Sequence, residues 1–173
     1  PIYPPPYPPG YNPQRMYQLF VNGNLSSVPT VSNVDIVSCN LVPKSEGDVS
    51  IVSKDIFTEP LIHINAYSHP DDKILAREFS RRLANSVNAT GQLSWLNGVD
   101  PSTLTDSSLD AVIAANTIIS HGCGTCRMST NPWSGVVNSD FRVFGTDNLY
   151  VCDMSVFPIH PETTPALAAI LLG

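Results

Sequence analysis

Between Val31 and Asn65 the chain alternates short apolar runs with turn residues, a strand-like pattern. Val34, Ile36 and Val37 lead to Leu41 and Val42, and Pro43-Lys44-Ser45-Glu46-Gly47 then marks a turn. Asp48-Val49-Ser50-Ile51-Val52-Ser53 largely alternates polar and apolar positions, as a half-buried strand does. Leu61-Ile62-His63-Ile64-Asn65, preceded by Glu59-Pro60, reads as a third short strand. Successive strands joined by short connections predict an antiparallel sheet.

The period then changes. Asp71-Asp72 begins a helix, with carboxylates at the positive end of its dipole. Leu75, Phe79, Leu83 and Val87 recur every fourth residue and are expected to face the sheet, leaving Arg77, Arg81 and Arg82 on the solvated side. Thr90-Gly91 ends it. A second helix is predicted from about Ser107 to Thr117, with Leu109, Val112 and Ile113 inward; the polar Asn116 cuts its apolar stripe short. Near the C-terminus, Leu149 to Cys152 reads as a buried strand ending at Asp153, followed by the loop Val156 to Thr164. Pro165 suits the first position of a last helix, with Thr164 as N-cap and 166–172 as body. Strand, loop and helix start in that order make a place for an electron-rich group, because the first amides of a helix lack internal partners.

Seven of the 16 prolines fall in Pro1–Pro13, so that stretch is expected to be extended and polyproline-like. Tyr3, Tyr7 and Tyr11 recur every fourth residue there. They suit a surface loop pinned to a larger body better than a ligand for a proline-recognising groove. The net charge is −6 and no basic run occurs, which argues against nucleic acid as a partner. The longest apolar stretch, Pro165 to Leu172, is far below the roughly 20 residues of a membrane span. A first residue of Pro, not Met, suggests a piece of a longer protein. The triplets Asn24-Leu25-Ser26 and Asn88-Ala89-Thr90 fit N-glycosylation and tilt the expected location slightly toward secretion.

Chemistry concentrates at Ser120-His121-Gly122-Cys123-Gly124-Thr125-Cys126-Arg127-Met128. Glycines at +1 and +3 from His121 suit close approach of backbone to a ligand, and an imidazole accepts a proton near neutrality. Cys123 and Cys126 have the spacing of a redox pair or half a zinc site. No second cysteine pair exists, and His63, His69 and His160 show no ligand spacing, so no metal is expected.

Taken together, His121, Gly124, Thr125, Cys126 and Met128, Gly135-Val136-Val137, Arg142-Val143 with Gly145, Asn148-Leu149, and Asp153, Ser155 and Pro158 resemble the C-terminal part of the glucose–methanol–choline (GMC) family of flavin oxidoreductases. Weaker agreement extends back through Leu41, Pro43, Ser45, Gly47 and Val49, then Pro60, Ile62, Pro70 and Asp72; residues 1–30 match nothing. The resemblance implies an α+β fold. Residues 31–134 would form a substrate domain, an antiparallel sheet backed by helices, after a proline-rich segment over 1–30. Residues 135–173 would return to complete an α/β FAD-binding domain. The family's Gly-x-Gly-x-x-Gly fingerprint is absent, so the chain reads as a C-terminal fragment whose partner is the remainder of the FAD-binding domain.

The resemblance further implies FAD as cofactor, a small-molecule alcohol as substrate, and His121 as the base that takes the hydroxyl proton. The amides at the start of the helix that Pro165 opens, Ala166 onward, would face the flavin N1–C2=O edge, and the backbone of Asp153 and Met154 the ribityl or pyrophosphate portion. The chain departs from the family at Thr164, where His or Asn is usual. A threonine hydroxyl donates or accepts a hydrogen bond but does not titrate near neutrality. His160, four residues earlier, is a candidate stand-in if the loop folds differently. The alternative to an active alcohol oxidase or dehydrogenase is a structural or binding protein that keeps the fold; a cyanohydrin lyase is a more distant reading.

Overall fold

The computed structural model describes residues 17–23, 34–91, 93–95, 98–161 and 165–172. The proline-rich Pro1–Pro13 segment, the Asn24 triplet and Thr164 lie outside the described residues. The chain divides into two compact units, one made of Pro1–Val42 with His121–Gly173 and the other of Pro43–Ser120.

In the first unit β1 (Tyr17–Gly23) pairs antiparallel with β2 (Val34–Asn40), Tyr17 opposite Asn40 and Gly23 opposite Val34. The β2 strand matches the apolar run around Val34, Ile36 and Val37, but its partner is the preceding segment and not the following strand. In the second unit β3 (Asp48–Ser50) pairs antiparallel with β4 (Leu61–His63). The expected continuous antiparallel sheet is therefore two separate hairpin-like pairs among the described residues.

Both strands of the second pair are shorter than the sequence pattern. After Ser50 the chain turns: the Ser53 hydroxyl accepts from the Asp55 amide, the Asp55 carboxylate from the Phe57 amide, and Ile51 and Val52 are exposed. Gly47 is required beside this pair, because a Cβ there would run into the His63 and Ile64 carbonyls.

The helix α1 (Pro70–Thr90) carries Pro70 in its first turn. It is capped by His69, whose Nδ1 accepts from the Asp71 amide at 3.2 Å. Gly91 closes it at φ 63°, a left-handed conformation that costs glycine little. Asn88 latches this end: its amide donates to the Asp100 carboxylate at 2.7 Å and its carbonyl accepts from the Trp95 indole at 2.8 Å. Second comes α2 (Asp106–Asn116), capped by the Thr105 hydroxyl, with Leu109 buried inward as its period predicts.

The two helices pack on each other, and here the sequence expectation fails. Arg77 and Arg81 are not a solvated face but the clasp between the helices. Arg77 donates to both Asp110 oxygens, at 2.6 and 2.5 Å, and to Asp106 at 3.0 Å; Arg81 donates to Asp106 at 2.6 Å. A guanidinium fork matches a carboxylate in this bidentate way, and acids on α2 at positions 106 and 110 stand one turn apart on one face.

The Arg77 guanidinium holds the Asp110 carboxyl below the ordinary carboxylate range, and Arg81 does the same for Asp106. Both folded-state values are depressed, so this stabilisation is present above the unfolded carboxylate value near 3.8. It is lost as pH falls through the folded values. Arg77→Ala is expected to cost about 0.5–1 kcal/mol through the Arg77–Asp110 pair at neutral pH and to shrink that gap below pH 4. Thermal unfolding of both proteins at pH 7 and pH 3 checks it; a gap that widens in acid contradicts the assignment.

The last helix, α3 (Ala166–Leu172), matches the predicted body, and the buried Pro165 supplies the carbonyl that accepts from the Ala169 amide at 2.8 Å. The predicted strand at Leu149–Cys152 does not form. Arg142 and Tyr150 meet in a single antiparallel bridge, flanked by the bonds Val143 N–H to Leu149 C=O and Val151 N–H to Phe141 C=O. The ladder stops there because the opposing segment leaves extended geometry at Phe141, φ 62°, while Gly145 at φ 77° belongs to the turn that joins the two. Leu149, Tyr150 and Cys152 are exposed, not buried. No helix among the described residues is long and apolar enough to cross a membrane.

Candidate active site

His121 is half-buried and opens a run with no regular secondary structure. Backbone hydrogen bonds tie this run to the segment after Asp153: the Cys126 amide donates to the Ser155 carbonyl at 3.0 Å and the Met128 amide to the Val156 carbonyl at 2.8 Å. Gly124, at φ 85°, lies against the Phe157 carbonyl, 3.3 Å from where a Cβ would stand. The two runs thus lie side by side, joined by these two bonds and the close approach of Gly124 to Phe157. Five residues upstream of Cys126 is His121, and five downstream of Ser155 is His160. Their ring centroids lie 6.3 Å apart, tilted by 31°.

Most of the motif residues build this frame. Gly135 packs where a Cβ would stand 2.5 Å from the Arg127 carbonyl and 2.7 Å from the Ser129 side chain. Its neighbour Val136 donates to that Arg127 carbonyl at 2.8 Å, while the fully buried Val137 accepts from the Ser129 amide at 2.9 Å. The Gly-Val-Val triplet is therefore a backing strip for the run that follows His121. Gly135→Ala is expected to destabilise the protein by about 2 kcal/mol or more, since backbone must move and not a side-chain tip. A thermal midpoint unchanged to within a degree rules this packing role out.

Asp153 and Ser155 explain each other. The Asp153 carboxylate accepts from the Ser155 amide at 2.8 Å and caps the single 3-10 turn Met154–Val156. The Ser155 hydroxyl and amide hold the Asp153 carboxyl below its usual range. The carboxylate is exposed yet committed to its own turn. Met154 is half-buried and Val156 buried.

His160 has a defined tautomer. Its Nδ1 stands 2.7 Å from the Pro161 carbonyl, which can only accept, so Nδ1 carries the hydrogen. In the neutral ring Nε2 is then the lone-pair nitrogen. The sequence offers His160 as a stand-in for position 164 if the loop folds differently; the structure puts its ring beside His121. Pairing between the two runs is the missing signal, since no spacing rule joins positions 121 and 160.

The four cysteines are free, and burial pushes the Cys123 thiol up, which disfavours a thiolate there. Among the described residues no group of three or more His, Cys, Asp or Glu side chains could hold a metal ion. A shallow depression on the β3–β4 pair is lined by Asp48, Ile62, His63, Ile64 and Asn65, with His63 Nδ1 3.1 Å from Asp48; it belongs to the other unit.

Comparison with known proteins agrees with the motif pattern. The family model described as GMC oxidoreductase, in its C-terminal part, matches residues 43–173. Pyranose dehydrogenase 3 of Leucoagaricus meleagris is 35% identical over 127 residues, covering 70% of this chain and 21% of its own length. Pyranose dehydrogenase of Agaricus campestris is 34% identical over 140 residues, 78% of this chain and 23% of its own length. Among solved structures, a formate oxidase of Aspergillus oryzae RIB40, described for modification of its FAD, superposes with a TM-score of 0.71. It is 26% identical and covers 86% of this chain and 27% of its own. The chain thus spans about a fifth of the length of these curated relatives. With the match over residues 43–173 and these relatives in hand, the chain belongs to the GMC oxidoreductase family.

Proposed function

We propose that this chain is the C-terminal part of an FAD-dependent oxidoreductase that oxidises an alcohol or sugar CH–OH, with His121 as the base. The observation that carries the reading is the zipper of Cys126 and Met128 onto Ser155 and Val156. Through it the histidine-bearing run and the loop leading to Pro165 belong to one piece of backbone. On this reading residues 31–134 serve mainly the substrate and 135–173 complete the flavin domain, with the rest of that domain as partner.

The residues present fit a flavin. Beside His121, an added Cβ at Gly122 would meet nothing within 4 Å, so a flat ring can approach the backbone. Because the Asp153 carboxylate is engaged by Ser155, contact with the ribityl or pyrophosphate portion falls to the backbone of Asp153 and Met154. Pro165 leads into α3 at Ala166, and the first amides of that helix lack internal partners and suit the electron-rich edge of the ring system. When bound, FAD supplies the hydride acceptor.

The chain's own contribution is the proton. Loss of the hydroxyl proton builds alkoxide character on the oxygen attached to the carbon that gives up hydride, and the His121 imidazole takes that proton on a ring nitrogen. Thr164, which is not a titrating group, would hold the hydroxyl in line by a hydrogen bond. The pyranose and choline dehydrogenases among the relatives make sugars and small alcohols the first panel to try, and the Asn88 triplet keeps a secreted location in the proposal.

Flavin reduction by such a panel, compared between the protein carrying this chain and its His121→Ala variant, tests the reading. The second reading, a scaffold that keeps fold and flavin without turnover, draws on the threonine at position 164. Bound flavin that no alcohol or sugar reduces would favour it.

A further inference from the structure

We propose that His160 is the proton acceptor behind His121, draining the proton that His121 takes from substrate; this rests on His121 being the base. Three observations meet here. The two rings are 6.3 Å apart between centroids, too far for their nitrogens to bond directly. That separation suits one bridging oxygen at hydrogen-bond lengths of about 2.8 Å. The Pro161 carbonyl holds hydrogen on His160 Nδ1, which leaves Nε2 as an acceptor. And the bonds of Cys126 to Ser155 and of Met128 to Val156, with Gly124 packed against the Phe157 carbonyl, hold the two runs side by side.

The step balances without a co-reactant other than water. The His121 N–H bond breaks as its proton passes to a bridging water, whose own O–H proton passes to His160 Nε2. Water is regenerated, His121 is neutral again, and the new imidazolium keeps its Nδ1–H bond to Pro161. The other titratable or charged side chains on the two paired runs are Cys123, Cys126, Arg127 and Asp153. Of these Asp153 is taken by Ser155 and the Cys123 thiol is raised by burial, so the group on the facing run that offers a free lone-pair nitrogen is His160. It acts through His121 and is a positioning residue for the proton, not a contact of the substrate.

The test compares His160→Ala and His160→Gln with the unaltered protein under steady-state turnover. Both variants are expected to lose about 10-fold or more in kcat with KM nearly constant and to show an altered pH profile, and His160→Ala, which leaves the space, to recover with added free imidazole. A glutamine side chain keeps the shape and a hydrogen bond but does not titrate. Full activity in His160→Gln would reduce His160 to a structural role and overturn the proposal, as would an unchanged His160→Ala. Activity retained in His121→Ala is a different result and removes the base assignment itself. Should neither His160 variant hold flavin, imidazole NMR of the unaltered protein decides: a relay requires His160 to titrate between about pH 5 and 8. A ring fixed in one protonation state across that range ends the idea.

Discussion

His121→Ala will slow substrate-driven flavin reduction by about 10²–10⁴-fold, the usual worth of a positioned general base. The flavin spectrum and thermal midpoint should stay close to those of the unaltered protein. His121 is half-buried at the start of its run, and the bonds that hold that run are made by the backbone at Cys126 and Met128. Removing the imidazole therefore leaves the frame standing. The loss should appear in kcat and kcat/KM together, because proton removal belongs to the transition state and not to substrate binding. Raising pH should recover part of the rate as hydroxide replaces the missing base. A variant that reduces flavin at more than a tenth of the original rate would mean that another group removes the proton.

Asp72→Ala will be the most damaging of the stability substitutions, at about 3 kcal/mol. Asp72 is 1% exposed and sits in the first turn of α1. Its carboxylate accepts from the Lys44 amide at 3.0 and 3.1 Å, the Ser45 amide at 2.7 Å and the Ser45 hydroxyl at 2.6 Å. The Ser45 oxygen accepts in turn from the His69 amide at 3.0 Å, so one carboxylate ties the Pro43–Gly47 turn to the helix start. Alanine would leave two amides and a hydroxyl without their acceptor, and the penalty for unmet donors exceeds the worth of the bonds themselves. Asp72→Asn keeps one acceptor oxygen and should cost about half as much. Thermal unfolding measures both. A cost below about 1 kcal/mol for alanine would show that water satisfies the turn unaided.

The weak motif match at Ser45 and Asp72 thus has a physical content that pattern alone did not disclose. The same is true of Asp153 with Ser155, a capped turn, and of Gly135, a close approach to Arg127. By contrast, the helix over 70–90 was legible from its fourth-residue apolar recurrence, its leading acids and the glycine at its end. The final helix was legible from Pro165 onward. The Leu149–Cys152 strand was misread because a short apolar run carries no information about whether an opposing segment stays straight long enough to pair.

Locally encoded features were therefore determined by the sequence itself: helix spans, turn positions, the run beginning at His121, and family membership through motifs in one order. Tertiary structure alone decided which strands pair, that Arg77 and Arg81 clasp α2, and that His160 lies beside His121. The physical reason is one of range. Periods of 2 and 3.6 and capping rules act between residues a few positions apart. The meeting of positions 121 and 160 depends on amide-to-carbonyl bonds between two irregular runs, and every residue except proline offers the same amide and the same carbonyl.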